Sequence, residues 1–326
     1  MCGIVGAIAQ RNISSILVEG LKRLEYRGYD SSGVAILNEQ GLQRTRRVGK
    51  VASLDAALTA QPLDGSLGIA HTRWATHGVP NETNAHPHWS HSSLAVVHNG
   101  IIDNFEPIKA DLIATGYGFE SDTDTEVIAH LIHRNRQQGM SLTEAVRDAA
   151  SRCEGAYALG VVDETQPDLL LAARKGSPLV IGLGSDENYI ASDQLALLQV
   201  TDQFMFLEDG DIAEISRSQV IVTDAKGTKV VRPSHRYEHS DESSDKGAYK
   251  HFMLKEINEQ PKAVANLIDQ QIIAGKLQNI LNDDAIEALS KAKNVQIIAC
   301  GTSYLAGMVA KYWIESLACL ACHVEV

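Results

Sequence analysis

The chain opens Met1-Cys2-Gly3-Ile4-Val5-Gly6-Ala7-Ile8, and no other stretch narrows its possible folds as far. Two glycines set among Ile4, Val5, Ala7 and Ile8 describe a buried strand that another backbone or a ligand approaches closely. Cysteine is small enough for an aminopeptidase to remove the initiator methionine before it. The chain would then start with Cys2, carrying a thiol and a free α-amine on one residue. An α-amine titrates near ~8, so part of it is unprotonated around neutrality and can serve as a built-in general base. The plainer alternative is a cysteine that merely comes second, and the rest of the chain decides between the two.

Beyond the first strand, Ile13, Ile16, Leu17, Leu21 and Leu24 recur at helical spacing. Tyr26 to Gly33 is rich in turn formers, and Val34–Leu37 and Gln43–Val48 form a hairpin around Asn38-Glu39-Gln40-Gly41. Leu54–Leu58 is a short helix and Leu67–Arg73 a strand that leads into the Trp74–Gly78 loop. Leu94–His98 is a strand that stops at Asn99-Gly100, and a helix follows over residues 101–115. Thr123 and Glu126 have the form of a capping box before the periodic run Val127, Ile128, Leu131, Ile132. Residues 142–152 form another helix. Short strands then follow from Ala156 to Ile215, with a last hairpin around Lys226-Gly227. Strands and a few helices alternate without a βαβ period, which favours antiparallel sheets flanked by helices.

Residues 239–247 contain no apolar residue and read as a linker between a domain over 1–238 and a second part over 248–326. In the second part, 249–260 and 264–274 read as helices, 295–299 as a strand, Cys300–Tyr304 as a turn into a helix, and 323–326 as a further strand. A strand–turn–helix–strand opening of a parallel sheet cannot cover its own faces, so this part is expected to be incomplete.

A formal net charge of −12 over 326 residues supplies no basic footprint for nucleic acid. The sequence holds neither a membrane-length apolar run nor a signal-peptide core. Five cysteines at irregular spacing do not form a disulfide framework, which suits a reduced, cytoplasmic protein. Cys319-Leu320-Ala321-Cys322 reads as buried thiols.

A cysteine that attacks an amide needs a base, an oxyanion hole and a grip on its substrate. Asn99 and Gly100 offer a side-chain donor and an open backbone N–H, although the same pair also fits a strand-end turn. Arg73 can clasp a carboxylate or simply form an ion pair. Asp124 can accept from an ammonium or complement a helix dipole. Together they suit an amino acid. His71, His77, His86, His88 and His91 suggest a metal, with His86 and His88 on one strand face, but no acidic or cysteine ligand cluster accompanies them. Gly182-Leu183-Gly184 is a hairpin turn rather than a dinucleotide fingerprint. Cys300-Gly301-Thr302-Ser303 is either a phosphate cradle or ordinary capping.

Cys2–Gly6, Arg27–Ser31, His71–Gly78, His98–Asn104 and Ser121–Val127 together resemble the N-terminal-nucleophile (class II) glutamine amidotransferases. Residues 176–180, 191–196 and 255–261 resemble the branch that uses fructose 6-phosphate, and Cys300–Tyr304 resembles the start of that branch's sugar-isomerase (SIS) domain. The resemblance implies an α+β chain with a four-layer αββα glutaminase domain, followed by an incomplete α/β SIS domain. It implies Cys2 as nucleophile, with Asn99 and Gly100 as oxyanion hole. Arg73 and Asp124 would hold L-glutamine, helped by Thr76 and His77, with Trp74 as the gate of an ammonia channel. Thr302 and Ser303 would contact a sugar phosphate. It further implies no metal or cofactor, fructose 6-phosphate as acceptor, and a homodimer at full length. With most of the isomerase half absent, weak glutamine hydrolysis without amino-sugar formation is expected. Two alternatives stand beside it: an amidophosphoribosyltransferase, which lacks its acidic, hydroxyl-rich loop here, and a catalytically idle glutamine-binding fragment.

Overall fold

The computed structural model describes residues 2–75, 77–237, 249–273, 276–277 and 283–326. Met1, Thr76 and the linker read over 239–247 lie outside them. The chain divides into two compact units, residues 1–245 and 246–326.

In the first unit the strands are β1 (Gly3–Ile8), β2 (Ser31–Asn38), β3 (Gly41–Val48), β4 (Leu67–Arg73), β5 (His88–Ser90), β6 (Leu94–Ile102), β7 (Gly155–Asp163) and β8 (Leu170–Lys175). They continue as β9 (Val180–Leu183), β10 (Asn188–Ala191), β11 (Gln203–Phe206), β12 (Ile212–Ile215), β13 (Val220–Thr223), β14 (Lys229–Val230) and β15 (Ser234–Arg236). The helices are α1 (Ser14–Leu24), α2 (Val51–Ala60), α3 (Phe105–Ala114), α4 (Glu126–Gln137) and α5 (Leu142–Arg152). One sheet has the order β15-β11-β9-β10-β1-β4-β2-β3 and the other β14-β13-β12-β8-β7-β6-β5. Every strand pairing in these two sheets is antiparallel.

The opening strand explains the layering. Successive side chains of a strand point to opposite faces. Val5 and Ala7 of β1 pack with Ile16, Leu17 and Leu21 of α1 and with Leu54 of α2. Ile4 and Ile8 pack with Ala95 and Val97 of β6 and Ala158 and Val162 of β7. The second sheet repeats the division: Leu94 and Val96 turn outward onto Val127, Ile128 and Leu131 of α4 and Val146 of α5. Helix, sheet, sheet and helix therefore stack in that order. A strand buried on both sides has no polar alternate positions, which is why β1 and β6 read as continuous apolar runs.

Two local expectations change. β6 runs through Asn99-Gly100 to Ile102, with Asn99 opposite Ala158 and Gly100 opposite Tyr157. That dipeptide is a strand interior, not a strand end, and the helix after it starts only at Phe105. The capping box expected at Thr123 and Glu126 is not formed either. Thr125 precedes α4 without a side-chain cap. Glu126 instead accepts from the backbone N–H groups of Glu120 and Ser121 and from Ser121 Oγ. The box is built at the start of α5, where Ser141 and Glu144 bond reciprocally. His86 lies before β5, so it does not share a strand face with His88.

The second unit contains α6 (Phe252–Gln271), a short hairpin of β16 (Ile272–Ile273) and β17 (Lys276–Leu277), α7 (Asp283–Ser290), β18 (Asn294–Ile298), α8 (Gly301–Trp313) and β19 (Ala321–Glu325). The helices expected over 249–260 and 264–274 are one helix with Pro261 inside it. β18 and β19 pair in parallel around α8, the expected strand–helix–strand unit. Cys322 is buried, but Cys319 is exposed, against the expectation for both thiols. Among the described residues no helix is long and apolar enough to cross a membrane.

Candidate active site

β1 lies between β4 and β10 in its sheet, with Gly3 opposite Thr72. Cys2 is thereby carried to the end of β4, where the turn after Arg73 begins. The backbone N–H of Trp74 donates to Cys2 Sγ at 3.2 Å, and the thiol faces the Trp74 carbonyl at 3.5 Å. Burial pushes the Cys2 thiol above its ordinary value, opposed by the Trp74 N–H and by the Arg73 guanidinium. The resting group is thus a thiol at neutral pH, and attack needs a base to remove its proton.

From the facing sheet, β6 brings Asn99 to the same place. Asn99 Nδ2 donates to the Cys2 carbonyl at 3.2 Å. Gly100 follows with φ +139°, and a Cβ built on it would lie 1.9 Å from the Ala156 carbonyl oxygen. No side chain fits there, so the backbone beside Asn99 stays uncovered. A narrow cleft is lined by Cys2, Arg73, Trp74, His77, Gly100 and Asp124, together with His86, His98, Thr123 and Thr125. A much larger open groove of about 750 Å³ lies elsewhere, lined by Arg11, Asn38, Asp64 and Pro167 among others. It holds no cysteine or histidine, so size does not mark the site here.

Arg73 is 4% exposed. Its guanidinium donates to the carbonyls of His77, Gly78 and Val79 and lies 3.7 Å from Asp30. Of the two readings of Arg73, the ion pair is formed, and the same side chain also holds the loop that borders the cleft. Asp124 is also 4% exposed; its Oδ2 accepts from the Ile102 N–H at 2.8 Å. It stands two residues before α4, outside the first turn where sequence spacing puts it. His77 sets its ring edge-on to Phe105. Trp74 is 54% exposed and covers Gly28, whose missing Cβ would fall 2.2 Å from the indole. In the second unit, Thr302 and Ser303 are exposed in the first turn of α8.

Sequence reasoning passed over three further residues. Asp30 Oδ1 accepts from Ser31 Oγ, and the second carboxylate oxygen accepts the Ala75 N–H. His98 is buried and bonds Thr125 Oγ1 through Nδ1 at 2.9 Å. His71 is 0% exposed and contacts Asn99 Oδ1 at 2.9 Å. All three sit inside motifs already singled out, but His71 was weighed only as a metal ligand and Asp30 and His98 were given no role. Among the described residues no group of three or more His, Cys, Asp or Glu is arranged to hold a metal. Burial pushes His71 down to about 3 and lowers His86, His88 and His98 as well, so all four rings are neutral at pH 7.

A thiol, an amide donor, a guanidinium and a carboxylate therefore converge where two strands meet across the sandwich. A family model described as "Glutamine amidotransferase domain" matches residues 71–199. A curated glutamine–fructose-6-phosphate aminotransferase [isomerizing] from Pseudomonas putida is 58% identical over 330 residues, covering all of this chain and 54% of that protein. The one of that name from Escherichia coli K12 is 55% identical over 328 residues, covering all of this chain and 54% of that protein. The whole chain is thus similar to part of these aminotransferases, and residues 71–199 to a glutamine amidotransferase domain. It spans about half the length of the curated relatives it matches. A solved structure titled as the allosteric regulatory enzyme of purine biosynthesis superposes on this chain with a TM-score of 0.58 at 26% identity, covering 73% of this chain and 50% of that one. The glutamine phosphoribosylpyrophosphate amidotransferase from B. subtilis gives 0.57 at 24%, with the same coverage, and supports the fold alone.

Proposed function

We propose that this chain hydrolyses L-glutamine through a thioester on Cys2. The observation that carries the reading is the convergence of Cys2, Gly100, Arg73 and Asp124 on one cleft, with Asn99 bonded to the Cys2 carbonyl. With Met1 removed, the α-amine of Cys2 takes the thiol proton and Sγ attacks the side-chain amide carbon of glutamine. Asn99 Nδ2 and the Gly100 N–H stabilise the oxyanion that forms, where donors fixed in place count most. The amide nitrogen receives the proton and leaves as ammonia. Water, deprotonated by the same amine, then cleaves the thioester to glutamate and restores the thiol. Arg73 pairs with the glutamine α-carboxylate and Asp124 with its α-ammonium, while His77 borders the site and Trp74 gates the path of ammonia.

The names of the curated relatives supply the acceptor: in those proteins the nitrogen goes to fructose 6-phosphate. We extend that role to the protein to which this sequence belongs, with residues 246–326 as the start of an SIS-type sugar-phosphate unit and Thr302 and Ser303 among its phosphate contacts. The names favour this acceptor over a phosphoribosyl one, since they apply across the whole chain at more than twice the identity of the phosphoribosyl enzymes. Two measurements on this chain and its Cys2→Ala variant test the reading: intact mass and glutamate release. A mass without Met1 and a release that vanishes with Cys2 are expected. Retained Met1, or equal release from both proteins, overturns it.

A further inference from the structure

We propose that His71 is a positioning residue for the reaction assigned to Cys2, one that holds the Asn99 amide the single way round that aims Nδ2 at the oxyanion. The inference rests on the role proposed for Asn99. The two ends of a carboxamide have nearly the same shape but opposite hydrogen-bonding character. Something must therefore decide which end faces the nucleophile.

The partners on either side decide it. The Cys2 carbonyl only accepts, so the end facing it at 3.2 Å is Nδ2. On the far side, His71 Nε2 lies 2.9 Å from Asn99 Oδ1 and 3.0 Å from the His98 carbonyl. Two acceptors around one ring nitrogen require that nitrogen to carry the proton. His71 Nδ1 is then the bare nitrogen, and it has no hydrogen-bond partner among the described residues. The ring is completely buried and stacked on His86 at 4.1 Å, so neither its plane nor its single proton is free to vary. Turning the Asn99 amide over would set Oδ1 against the Cys2 carbonyl and Nδ2 against the His71 N–H, which are two repulsions in place of two bonds. His71 belongs to β4 and Asn99 to β6, so the contact also ties one sheet to the other beside Cys2. An inverted amide would present the negative end of its dipole to the charge that develops in the transition state.

The test uses the 326-residue chain with His71→Phe, which keeps a ring but no donor, and His71→Gln, whose amide restores one. Glutamate release is measured with the binding of two ligands. Glutamate γ-semialdehyde adds the Cys2 thiol to give an oxyanion-like adduct, and glutamate forms none. The expected result for His71→Phe is a kcat lower by about 10- to 1,000-fold with KM within about threefold, because an oxyanion donor acts in the transition state. Aldehyde binding should weaken in parallel while glutamate binding stays, and His71→Gln should recover at least about tenfold of the loss. A folded His71→Phe protein with wild-type kcat, or equal losses for aldehyde and glutamate, overturns the inference. Should His71→Phe not fold, nitrogen NMR of the wild-type ring decides: a proton on Nε2 supports the inference and a proton on Nδ1 overturns it. A wild-type chain that releases no glutamate overturns the glutaminase reading instead, and the ring tautomer still decides the placement of Asn99.

Discussion

Asp30 Oδ1 lies 3.7 Å from Arg73 Nη1, and the same carboxylate accepts the backbone N–H of Ala75, two residues beyond that arginine. The main chain closes the arrangement, since the Asp30 N–H donates to the Arg73 carbonyl at 2.7 Å. One carboxylate thus fixes both the guanidinium and the start of the turn that carries Trp74 past Cys2. Asp30→Ala takes the counter-charge from a buried cation and the acceptor from the Ala75 N–H, a loss of about 1–3 kcal/mol for the donor left unsatisfied. Because Arg73 is assigned to ground-state binding of the α-carboxylate, KM for glutamine should rise by about tenfold or more with kcat changing less. Steady-state glutaminase kinetics with a urea melt would check both halves. An unchanged KM would remove Asp30 from the substrate grip.

Gly100→Ala tests whether the strand interior beside Asn99 tolerates any side chain. The new Cβ would lie 1.9 Å from the Ala156 oxygen at φ +139°, so β6 and β7 would have to part. A non-glycine residue in such a conformation costs about 1–3 kcal/mol before the clash is counted. The expected outcome is a protein destabilised by at least that much, with glutamine turnover reduced even where it remains folded. Wild-type stability and turnover would mean that the backbone relaxes without disturbing Asn99.

Legibility of the sequence followed how local each signal was. α1 and α5 and the strand β4 lie within a residue of their expected bounds. Their periodicity is decided by neighbours three or four positions away, or by alternation along one strand. Asn99-Gly100 misled because a dipeptide preference for turns is weak against a strand paired with β7 without a break from Leu94 to Ile102. The Thr123–Glu126 pattern failed for a similar reason: Glu126 found three closer donors in Glu120 and Ser121. Cys2, Arg73, Asn99 and Asp124 were legible because chemistry restricts their residue types. His71 and Asp30 were not, since what they do depends on partners 28 and 45 positions away.

Ser141→Ala separates stability from the site. Ser141 Oγ accepts the Glu144 N–H at 3.3 Å, while Glu144 bonds back to the Ser141 N–H at 2.8 Å. Loss of an N-cap serine costs about 0.5–2 kcal/mol. α5 packs on the outer face of the second sheet through Leu142, Val146 and Ala149. The urea midpoint should fall accordingly while kcat and KM for glutamine hold. A matching loss of activity would show that α5 is coupled to the cleft.

The last prediction concerns acid. His71, His86, His88 and His98 form a buried group faced by Arg73, Asp124, Glu126, Arg44 and Arg46, and burial is the largest cause of the lowering in each ring. A group held below its unfolded value contributes stability that is fully present above that value and is lost as pH falls toward the folded one. For His71 the window runs from about 6.5 in the unfolded chain down to about 3 in the native state. Glu126, held at about 2 against burial by the His130 ring at 3.6 Å and by bonds from Glu120 and Ser121, adds a second loss only below its ordinary 4.5. Between pH 7 and 5 the histidines therefore act first, each worth up to about 1.4 kcal/mol per pH unit. Urea unfolding at pH 7.5, 6.5 and 5.5 should show a midpoint that falls steadily across the range, before any carboxylate titrates. A flat profile down to pH 5 would mean that these rings gain protons in the folded protein, and the neutral ring that steadies Asn99 could not then persist.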